Sequence, residues 1–223
     1  MVSIVFYEDI MMCTRFNIDR ADYSPVLEKI IKQAASTALA RRFMEKLSKP
    51  LMTEGEVRPT DVAAVVAPDR HGEKAVFPMK WGFSIPGIRS TLINARSETA
   101  SIKPTFSESW RRRRCAIPAS WYYEWEHVKM TDGKTVTGEK YALQPAGCSI
   151  TWLCGLYRIE DGYPVFSVLT RDASEALTHI HDRMPFILPE EHIDGWISPD
   201  SSPEEYMQYA LTDIFYEKAC LLA

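Results

Sequence analysis

The sequence predicts an α+β protein with a β-rich, largely antiparallel, barrel-like core and peripheral helices. Three observations lead to this class. A helical pattern lies over residues 24–47, short runs rich in valine, isoleucine and aromatic residues follow one another from residue 56, and helices do not alternate regularly with these runs. Strands that follow one another without alternating helices favour antiparallel pairing.

The first element is the helical segment. Ser24 is a good N-cap, and the proline after it suits the first helical position. The apolar residues at roughly helical spacing are Leu27, Ile30, Ile31, Ala34, Ala38 and Met44. Ser36-Thr37 is a candidate interruption, and Lys49-Pro50 ends the region.

The strands occupy the middle of the chain. They are predicted at residues 62–66, 75–83, 91–95, 115–118, 121–125, 141–144, 150–157, 165–169 and 184–188. Residues 130–139 contain two glycine turn pairs and are typical of an extended hairpin tip. Short helices are predicted at 174–180, 189–196 and 203–209, and the last two begin with proline and acidic residues that suit the helix dipole.

Length and composition are those of one globular domain. The chain has 223 residues, of which 46% are hydrophobic and 25% charged, and we expect a domain at 12–223 preceded by an extension at 1–11. No apolar run approaches the roughly 18–20 residues that span a bilayer, and the extension lacks the basic start of a secretion signal. We therefore expect a cytoplasmic monomer that does not bind membranes.

The cysteines predict neither disulfides nor a metal site. They form an odd set without C-x-x-C spacing: Cys13, Cys115, Cys148, Cys154 and Cys220. Reduced thiols in a cytoplasm are the expectation, and no metal or other cofactor is implied.

The charge pattern leaves room for a nucleic acid. A net charge of −4 argues against such a partner, but the basic run Arg111–Arg114 is separated from acids that gather between residues 190 and 205. A local basic groove is therefore compatible with the sequence. The alternative is that the arginine run is a solvated loop or helix end.

The chemistry begins at Met12-Cys13. If the methionine is removed, Cys13 becomes an N-terminal residue with a free amine and a thiol two carbons apart. Such a group traps an aldehyde first as an imine and then, when sulfur adds to the imine carbon, as a thiazolidine ring. The reference pKa values, roughly 7.7–8.0 for the amine and about 8.5 for the thiol, leave some of each in its nucleophilic form near neutrality. The alternative is an ordinary buried thiol near the start of a strand.

Further motifs follow in a fixed order. They are Trp81-Gly82-Phe83, the segment LINARSETA at 92–100, Arg114-Cys115-Ala116-Ile117-Pro118-Ala119, Tyr122-Tyr123-Glu124-Trp125 and Ile180-His181-Asp182-Arg183-Met184-Pro185. Together with Cys13 they resemble the SOS response-associated peptidase (SRAP) family, whose members carry a cysteine after the initiator methionine and N-A-R-x-E, aromatic-E-W and H-D-R-x-P segments. The resemblance spans about residues 12–190.

The resemblance implies a β-rich core with a groove for single-stranded DNA. It also implies that the protein shields abasic sites in that DNA by covalent attachment during the DNA damage response. The same amine would promote strand scission through an imine and β-elimination. The peptidase activity in the family name would be the removal of the protein's own first residues, which frees the cysteine.

Three residues are candidates for proton transfer and orientation beside Cys13. Glu124, among aromatic residues that raise a carboxyl pKa, would hold the amine and move protons; the alternative is a surface acid on a strand. His181 would shuttle a proton to the sugar, and the alternative is a structural hydrogen-bonding residue. Asn94 would orient the opened sugar or the amine, and the alternative is a turn-capping amide.

The nucleic-acid candidates are three arginines and a tryptophan. Arg15 and Arg183 match positions that the family uses in the DNA groove, and Arg96 carries a planar fork that suits a phosphate. Trp81 would offer a stacking surface for a base. The alternative is that the arginines form structural salt bridges, for Arg96 with Glu98.

The chain departs from the family pattern in three places. Thr14 replaces the glycine of M-C-G-R, which alters the backbone next to the nucleophile. Eleven residues precede Met12, so either translation starts at Met12 or the segment is cleaved. The asparagine-rich closing segment of other members is not found, so part of the groove wall differs.

Two other functions stay open at this point. In a thiol hydrolase or peptidase, Cys13 would attack an amide with His181 as base and Glu124 as the orienting group, and no free amine would be needed. In a non-catalytic single-strand-binding module, aromatic residues and arginines would provide the recognition and the cysteine would be dispensable.

Overall fold

A sheet-rich architecture with two packed sheets is seen in a computed structural model, which describes residues 14–20 and 24–219. The strands are β1 (Arg15–Ile18), β2 (Gly55–Val57), β3 (Val62–Pro68), β4 (Lys74–Trp81), β5 (Phe83–Ile85), β6 (Ile88–Leu92), β7 (Asn94–Arg96), β8 (Arg114–Ala119), β9 (Trp121–Lys129), β10 (Thr135–Pro145), β11 (Thr151–Glu160), β12 (Tyr163–Asp172), β13 (Arg183–Pro185) and β14 (Ile214–Lys218). The helices are α1 (Pro25–Ala35), α2 (Ala38–Leu47), α3 (Ser97–Ala100), α4 (Ser107–Arg112) and α5 (Ile193–Ile197), with 3₁₀ turns at Glu175–Leu177, Glu190–His192 and Pro203–Tyr209.

A five-stranded barrel lies at the centre. Its strands follow the order β11-β8-β3-β4-β12, and β12 pairs back with β11 to close it. Only the β4–β12 pair is parallel within this ring, and β7 and β13 extend β12 beyond it. Every residue of β3 and β8 is buried, because helices α1 and α5 cover the outer faces of these strands. The predicted barrel-like α+β class is confirmed.

The second sheet carries the strand on which the candidate site is built. Its order is β14-β10-β9-β1-β2, and all neighbours are antiparallel. The short strand β1 packs Phe16 and Ile18 into the core, with 0% and 2% exposure. One face of this sheet therefore rests on the barrel and the other faces outward.

The helical segment is confirmed, including its interruption. Ser24 caps α1 by accepting a hydrogen bond from the backbone of Leu27, at 3.1 Å, and Thr37 caps α2 in the same way. The buried residues of α2 differ from the prediction, since Ala40 and Phe43 are buried while Ala38 and Met44 are exposed. The chain begins a new helix after Ser36-Thr37, so the apolar stripe of α2 does not continue the period of α1.

Other boundaries require correction. The predicted hairpin tip at 130–139 is wrong in extent, because β9 and β10 pair up to a turn closed by Met130 N–H donating to the carbonyl of Lys134. The helix predicted at 174–180 is only the 3₁₀ turn Glu175–Leu177, and the sequence reasoning missed β1, β2, β14, α3 and α4. These missed elements are three to six residues long, which is too short for a period to show.

The strand predicted at 75–83 breaks at Gly82. This residue has φ of +115°, and a Cβ there would lie 2.5 Å from the hydroxyl of Thr91. Only glycine accommodates both the backbone angle and the close approach. The break separates β4 of the barrel from the small β5–β6 hairpin.

The arginine run does not form a basic groove as a unit. Arg111 and Arg112 are exposed in the last turn of α4, whereas Arg114 is fully buried. The Arg114 guanidinium donates to the carbonyls of Trp110 and Arg111 at the end of α4, and to that of Trp196 in α5. It also donates to the carbonyls of Ser198 and Ser201. One cation thus satisfies the backbone acceptors left free at two helix ends.

Replacing Arg114 tests whether these hydrogen bonds stabilise the fold. In Arg114→Met the side-chain length is kept but several buried carbonyls lose their donor, so we expect the free energy of unfolding to fall by about 3 kcal/mol. Urea denaturation measures the change. Arg112→Met, at an exposed position of the same run, should stay within about 0.5 kcal/mol of the wild type. Equal midpoints for the two variants would contradict a structural role for Arg114.

Candidate active site and nucleic-acid interface

Glu124 points into the protein from the middle of β9. It is 3% exposed, and its inward neighbour Tyr122 is 1% exposed, while Trp121, Tyr123 and Trp125 alternate with them and are half-buried. The backbone N–H of Trp125 donates to the Glu124 carboxylate at 3.2 Å. The alternative that Glu124 is a surface acid between core aromatics is therefore wrong, because the alternation runs in the opposite sense.

Glu124 and His181 share one narrow pocket. The pocket is lined by Tyr122, Glu124, Leu143, Leu177, Ile180, His181 and Arg183. Strand β9 supplies the acid, and the turn before β13 supplies the histidine. Two segments separated by more than fifty positions in the sequence therefore meet at this point.

The hydrogen bonds of His181 define its tautomer. Its Nδ1 accepts the backbone N–H of Arg183 at 3.0 Å, so in the neutral ring the proton sits on Nε2. The Asp182 carboxylate lies 2.9 Å from the same Nδ1, but this side chain is 83% exposed and the backbone donor is fixed. Among the residues that the structure describes, nothing accepts a hydrogen bond from Nε2, which is buried. The ring thus presents an unused donor.

The surroundings of His181 keep it neutral. The side chain is 3% exposed, and burial together with the ring of His127 lowers its pKa to about 4, although Asp182 acts in the opposite direction. The two imidazole centroids are 4.1 Å apart. Near neutral pH His181 is therefore a neutral donor rather than a cation.

Strand β1 leads the chain to Glu124. Arg15 pairs with Tyr123, and continuing this antiparallel register sets Thr14 opposite Glu124. Thr14 is 8% exposed. Cys13, the predicted nucleophile, and the predicted extension at 1–11 lie outside the described residues.

The described cysteines are unsuited to nucleophilic attack. Cys115, Cys148 and Cys154 are free thiols, and burial raises the pKa of each. For Cys115 and Cys154 the pKa lies well above the ordinary value. These thiols stay protonated near neutrality. Cys220 lies outside the described residues.

Arg15 belongs to a cationic cluster that sequence reasoning did not find. Its Nε donates to Glu56 at 2.9 Å, and the same carboxylate pairs with Arg58 at 3.0 Å and Lys140 at 2.6 Å. Burial raises the pKa of Glu56, but the three cations outweigh it and the net direction is downward. Three cations sharing one carboxylate leave this region positively charged.

Aromatic rings lie beside this cluster on the outward face of β9. The ammonium of Lys140 lies 3.7 Å from the ring centroid of Tyr123 and 5.2 Å from that of Trp125. We call this surface, formed by Arg15, Arg58, Tyr123, Trp125 and Lys140, the aromatic-basic face. The sequence signal was the alternation of aromatic residues at 121, 123 and 125, which was taken only as the setting of Glu124.

Asn94 and Arg96 lie on one side of an extended segment. Ala95 between them is buried, and β7 runs parallel to β12. Glu98 pairs with Arg183 through two hydrogen bonds of 2.7 and 2.8 Å. Arg96 is exposed and close enough to contribute to the lowered pKa of Glu98.

Arg183 is engaged within the protein. Besides Glu98 it binds the carboxylate of Asp172 and donates to the carbonyl of Thr170, and its side chain is 10% exposed. Burial lowers the pKa of Arg183, but the two carboxylates raise it by more. A phosphate would have to displace a carboxylate here, so contact between Arg183 and DNA stays a prediction.

The predicted stacking role of Trp81 is wrong. The side chain is fully buried, and its indole N–H donates to the carbonyl of Ile93 at 2.9 Å. Its ring lies against Phe16 and stacks on Phe166, with centroids 5.2 and 5.9 Å away. With both sides occupied by protein, no face is left for a base.

Two searches of the described residues gave negative results. No group of three or more His, Cys, Asp or Glu side chains within 14–20 and 24–219 is arranged to hold a metal ion. Over the same ranges, no helix is long and apolar enough to cross a membrane.

Comparison with known proteins identifies the family. Residues 12–220 match the family model described as SOS response associated peptidase (SRAP). The chain belongs to the SRAP family. This SRAP protein is 33% identical over 143 residues to the abasic site processing protein YoaM of Bacillus subtilis, and 28% identical over 144 residues to the abasic site processing protein YedK of Escherichia coli. Each alignment covers 60% of this chain, and 61% and 60% of the respective relatives.

The fold of this SRAP protein is also found in solved structures. A crystal structure of a protein from Bacteroides thetaiotaomicron superposes with a TM-score of 0.68, covering 94% of this chain and 93% of that one. The sequences are 18% identical, so this likeness concerns the fold.

The stability of this SRAP protein should depend on pH through His181. The pKa of His181 in the folded protein is about 4, below the ordinary 6.5. Between these two pH values His181 is protonated in the unfolded chain but not in the folded one. The free energy of unfolding therefore falls as pH drops from 6.5 to 4. In His181→Gln we expect this drop, measured by urea denaturation, to shrink by about 2 kcal/mol. His71→Gln, at an exposed position, is the matched control and should retain the full drop.

Proposed function

We propose that this SRAP protein processes abasic sites in single-stranded DNA by forming a thiazolidine between its N-terminal Cys13 and the sugar aldehyde. The single observation that carries the proposal is the pairing of β1 with β9, whose register, continued by one residue, sets Thr14 opposite Glu124. Thr14 follows Cys13 directly in the sequence, so the terminal amine is proposed to react beside this acid. YoaM and YedK are named abasic site processing proteins, which supports the abasic site as the substrate in this proposal.

The chemistry needs no co-reactant. The Cys13 amine adds to C1′ of the opened sugar, and loss of water gives an imine. The thiol then adds its sulfur to the imine carbon, its proton passes to nitrogen, and the ring closes. Glu124 accepts a proton from the terminal ammonium, and His181 donates a hydrogen bond from Nε2–H to a sugar oxygen without giving up its proton. If the imine instead loses a proton from C2′, β-elimination breaks the strand.

Asn94 completes the set of proposed reacting-site residues. Its amide can both donate and accept, which suits a group that orients the opened sugar. Removal of the residues before Cys13, by the protein itself or through a translation start at Met12, is part of the proposal. A chain that retains them has an amide in place of the amine and cannot close the ring.

The hydrolase alternative is less well supported. In such a site Glu124 would hold the N–H of His181 and leave the other nitrogen bare to act as a base. Here Nδ1 already accepts a backbone N–H, and the proton of the neutral ring is on Nε2. This arrangement favours a donor over a general base.

We further propose that the aromatic-basic face binds the DNA strand next to the damaged site. Aromatic rings stack on bases of any sequence, and cations beside them attract the phosphates. Arg15 joins this face to the strand that leads to Cys13. The exposed Arg96 is a further candidate for a phosphate contact.

The covalent step is tested with protein that begins at Cys13 and a single-stranded oligonucleotide carrying one abasic site. We expect a heat-stable adduct whose mass equals the sum of both components minus one water. Glu124→Gln should slow its formation by roughly 10²-fold or more, because proton transfer is lost.

Two controls accompany this experiment. Cys13→Ala and protein that retains residues 1–12 should give no adduct. An adduct of the same mass and yield from Cys13→Ala would refute the assignment. If blocking the amine leaves a thiol-dependent hydrolysis intact, the hydrolase reading gains instead.

The binding face is tested separately with undamaged single-stranded DNA. In Lys140→Met the ammonium over Tyr123 is lost, so affinity measured by fluorescence anisotropy should fall, and the slope of log affinity against log salt should decrease by about 0.7. Lys74→Met removes an exposed cation of the barrel strand β4, where it pairs with Asp194 of α5, and it should change neither quantity. Equal losses in both variants would show only a general charge effect.

A further inference from the structure

A second histidine packs against His181. The ring centroids of His127 and His181 are 4.1 Å apart, with planes inclined by 54°. The backbone N–H of His127 donates to the carbonyl of Ile180 at 2.9 Å, so the end of β9 is tied to the residue before His181. The contact between the rings therefore rests on a backbone link.

Within residues 14–20 and 24–219, the charged and titratable groups around His181 come from two segments. Asp182 and Arg183 follow it on its own segment, and β9 contributes Tyr122, Glu124 and His127. Strand β10 adds only the apolar Leu143 to the pocket. His127 differs from the others in stacking directly on the imidazole.

Protonation of one ring disfavours protonation of the other. Burial lowers the pKa of His127, and Asp182 opposes this effect. A proton on either ring disfavours a proton on the other, because two cations at this distance repel. The pair is therefore stable when at least one ring is neutral, and His181 is the more deeply buried ring.

We propose that His127 is a positioning residue for the crosslinking reaction: its ring holds the His181 imidazole so that Nε2–H faces the pocket, and it keeps that imidazole neutral. This inference rests on the proposed function, since the donor acts on the sugar. His127 does not touch the substrate in this scheme. It acts through His181, and its effect is to extend to lower pH the neutral form of His181, whose Nδ1 accepts the Arg183 N–H and so fixes the orientation of Nε2–H.

Titration of His181 by NMR in the protein without DNA tests the coupling. His127→Phe keeps a flat ring against His181 but cannot take a proton. The midpoint of His181 should rise from about 4 towards the ordinary value, by on the order of one pH unit. His179→Phe is the matched control, because His179 is exposed, lies two residues from His181 and packs on Tyr216 instead. In this variant the titration midpoint of His181 should equal that of the wild type.

The rate of adduct formation at neutral pH, where His181 is neutral, is the second readout. It should fall in His127→Ala, which removes the ring that holds His181, and should not fall in His179→Ala. An unchanged rate in a folded His127→Ala would overturn the positioning role. If His127→Phe does not fold, His127→Gln provides the same comparison. An unchanged His181 midpoint in a folded variant overturns the role of His127, whatever the adduct yield. An absence of adduct at every pH, with a shifted midpoint, overturns the proposed function while the coupling of the rings stands.

Discussion

The candidate site depends on the antiparallel pairing of β1 with β9. Strand β1 has only four residues, yet its register is fixed because Phe16 and Ile18 must face the core. A slip of one residue would expose both and would move Thr14 away from Glu124. The position of the chain just after Cys13 is therefore decided by two buried side chains rather than by any catalytic residue.

Trp81 connects strand β1 of the second sheet to the barrel. Its ring lies between Phe16 of β1 and Phe166 of the barrel strand β12, and its N–H is bound by the backbone of Ile93. A residue expected to serve DNA thus serves as the anchor of β1 on the barrel. The sequence alone does not show whether an aromatic residue stacks on a base or packs in the core, because both roles need the same large flat ring.

The parts that the sequence predicted are those with a local cause. The cap at Ser24, the interruption at Ser36-Thr37 and the valine-rich run of β3 define their elements without help from distant residues. The buried state of Arg114 has no such cause, since four consecutive arginines look alike until two helix ends supply their carbonyls. The alternation of residue types around Glu124 likewise predicts that β9 has two different faces, but it does not show which face is buried.

Strand β9 separates two tasks that electrostatics would otherwise bring into conflict. His181, neutral above a pH of about 4, cannot attract a phosphate, and the cations that can do so lie on the outward face with Lys140. The cation that lines the pocket, Arg183, is paired with Glu98 and Asp172; without these carboxylates its charge would disfavour a proton on His181 or on the amine. The affinity for DNA should therefore depend on salt concentration, while the rate of the covalent step depends on pH. The two remain independent because side chains alternate between the two faces of β9.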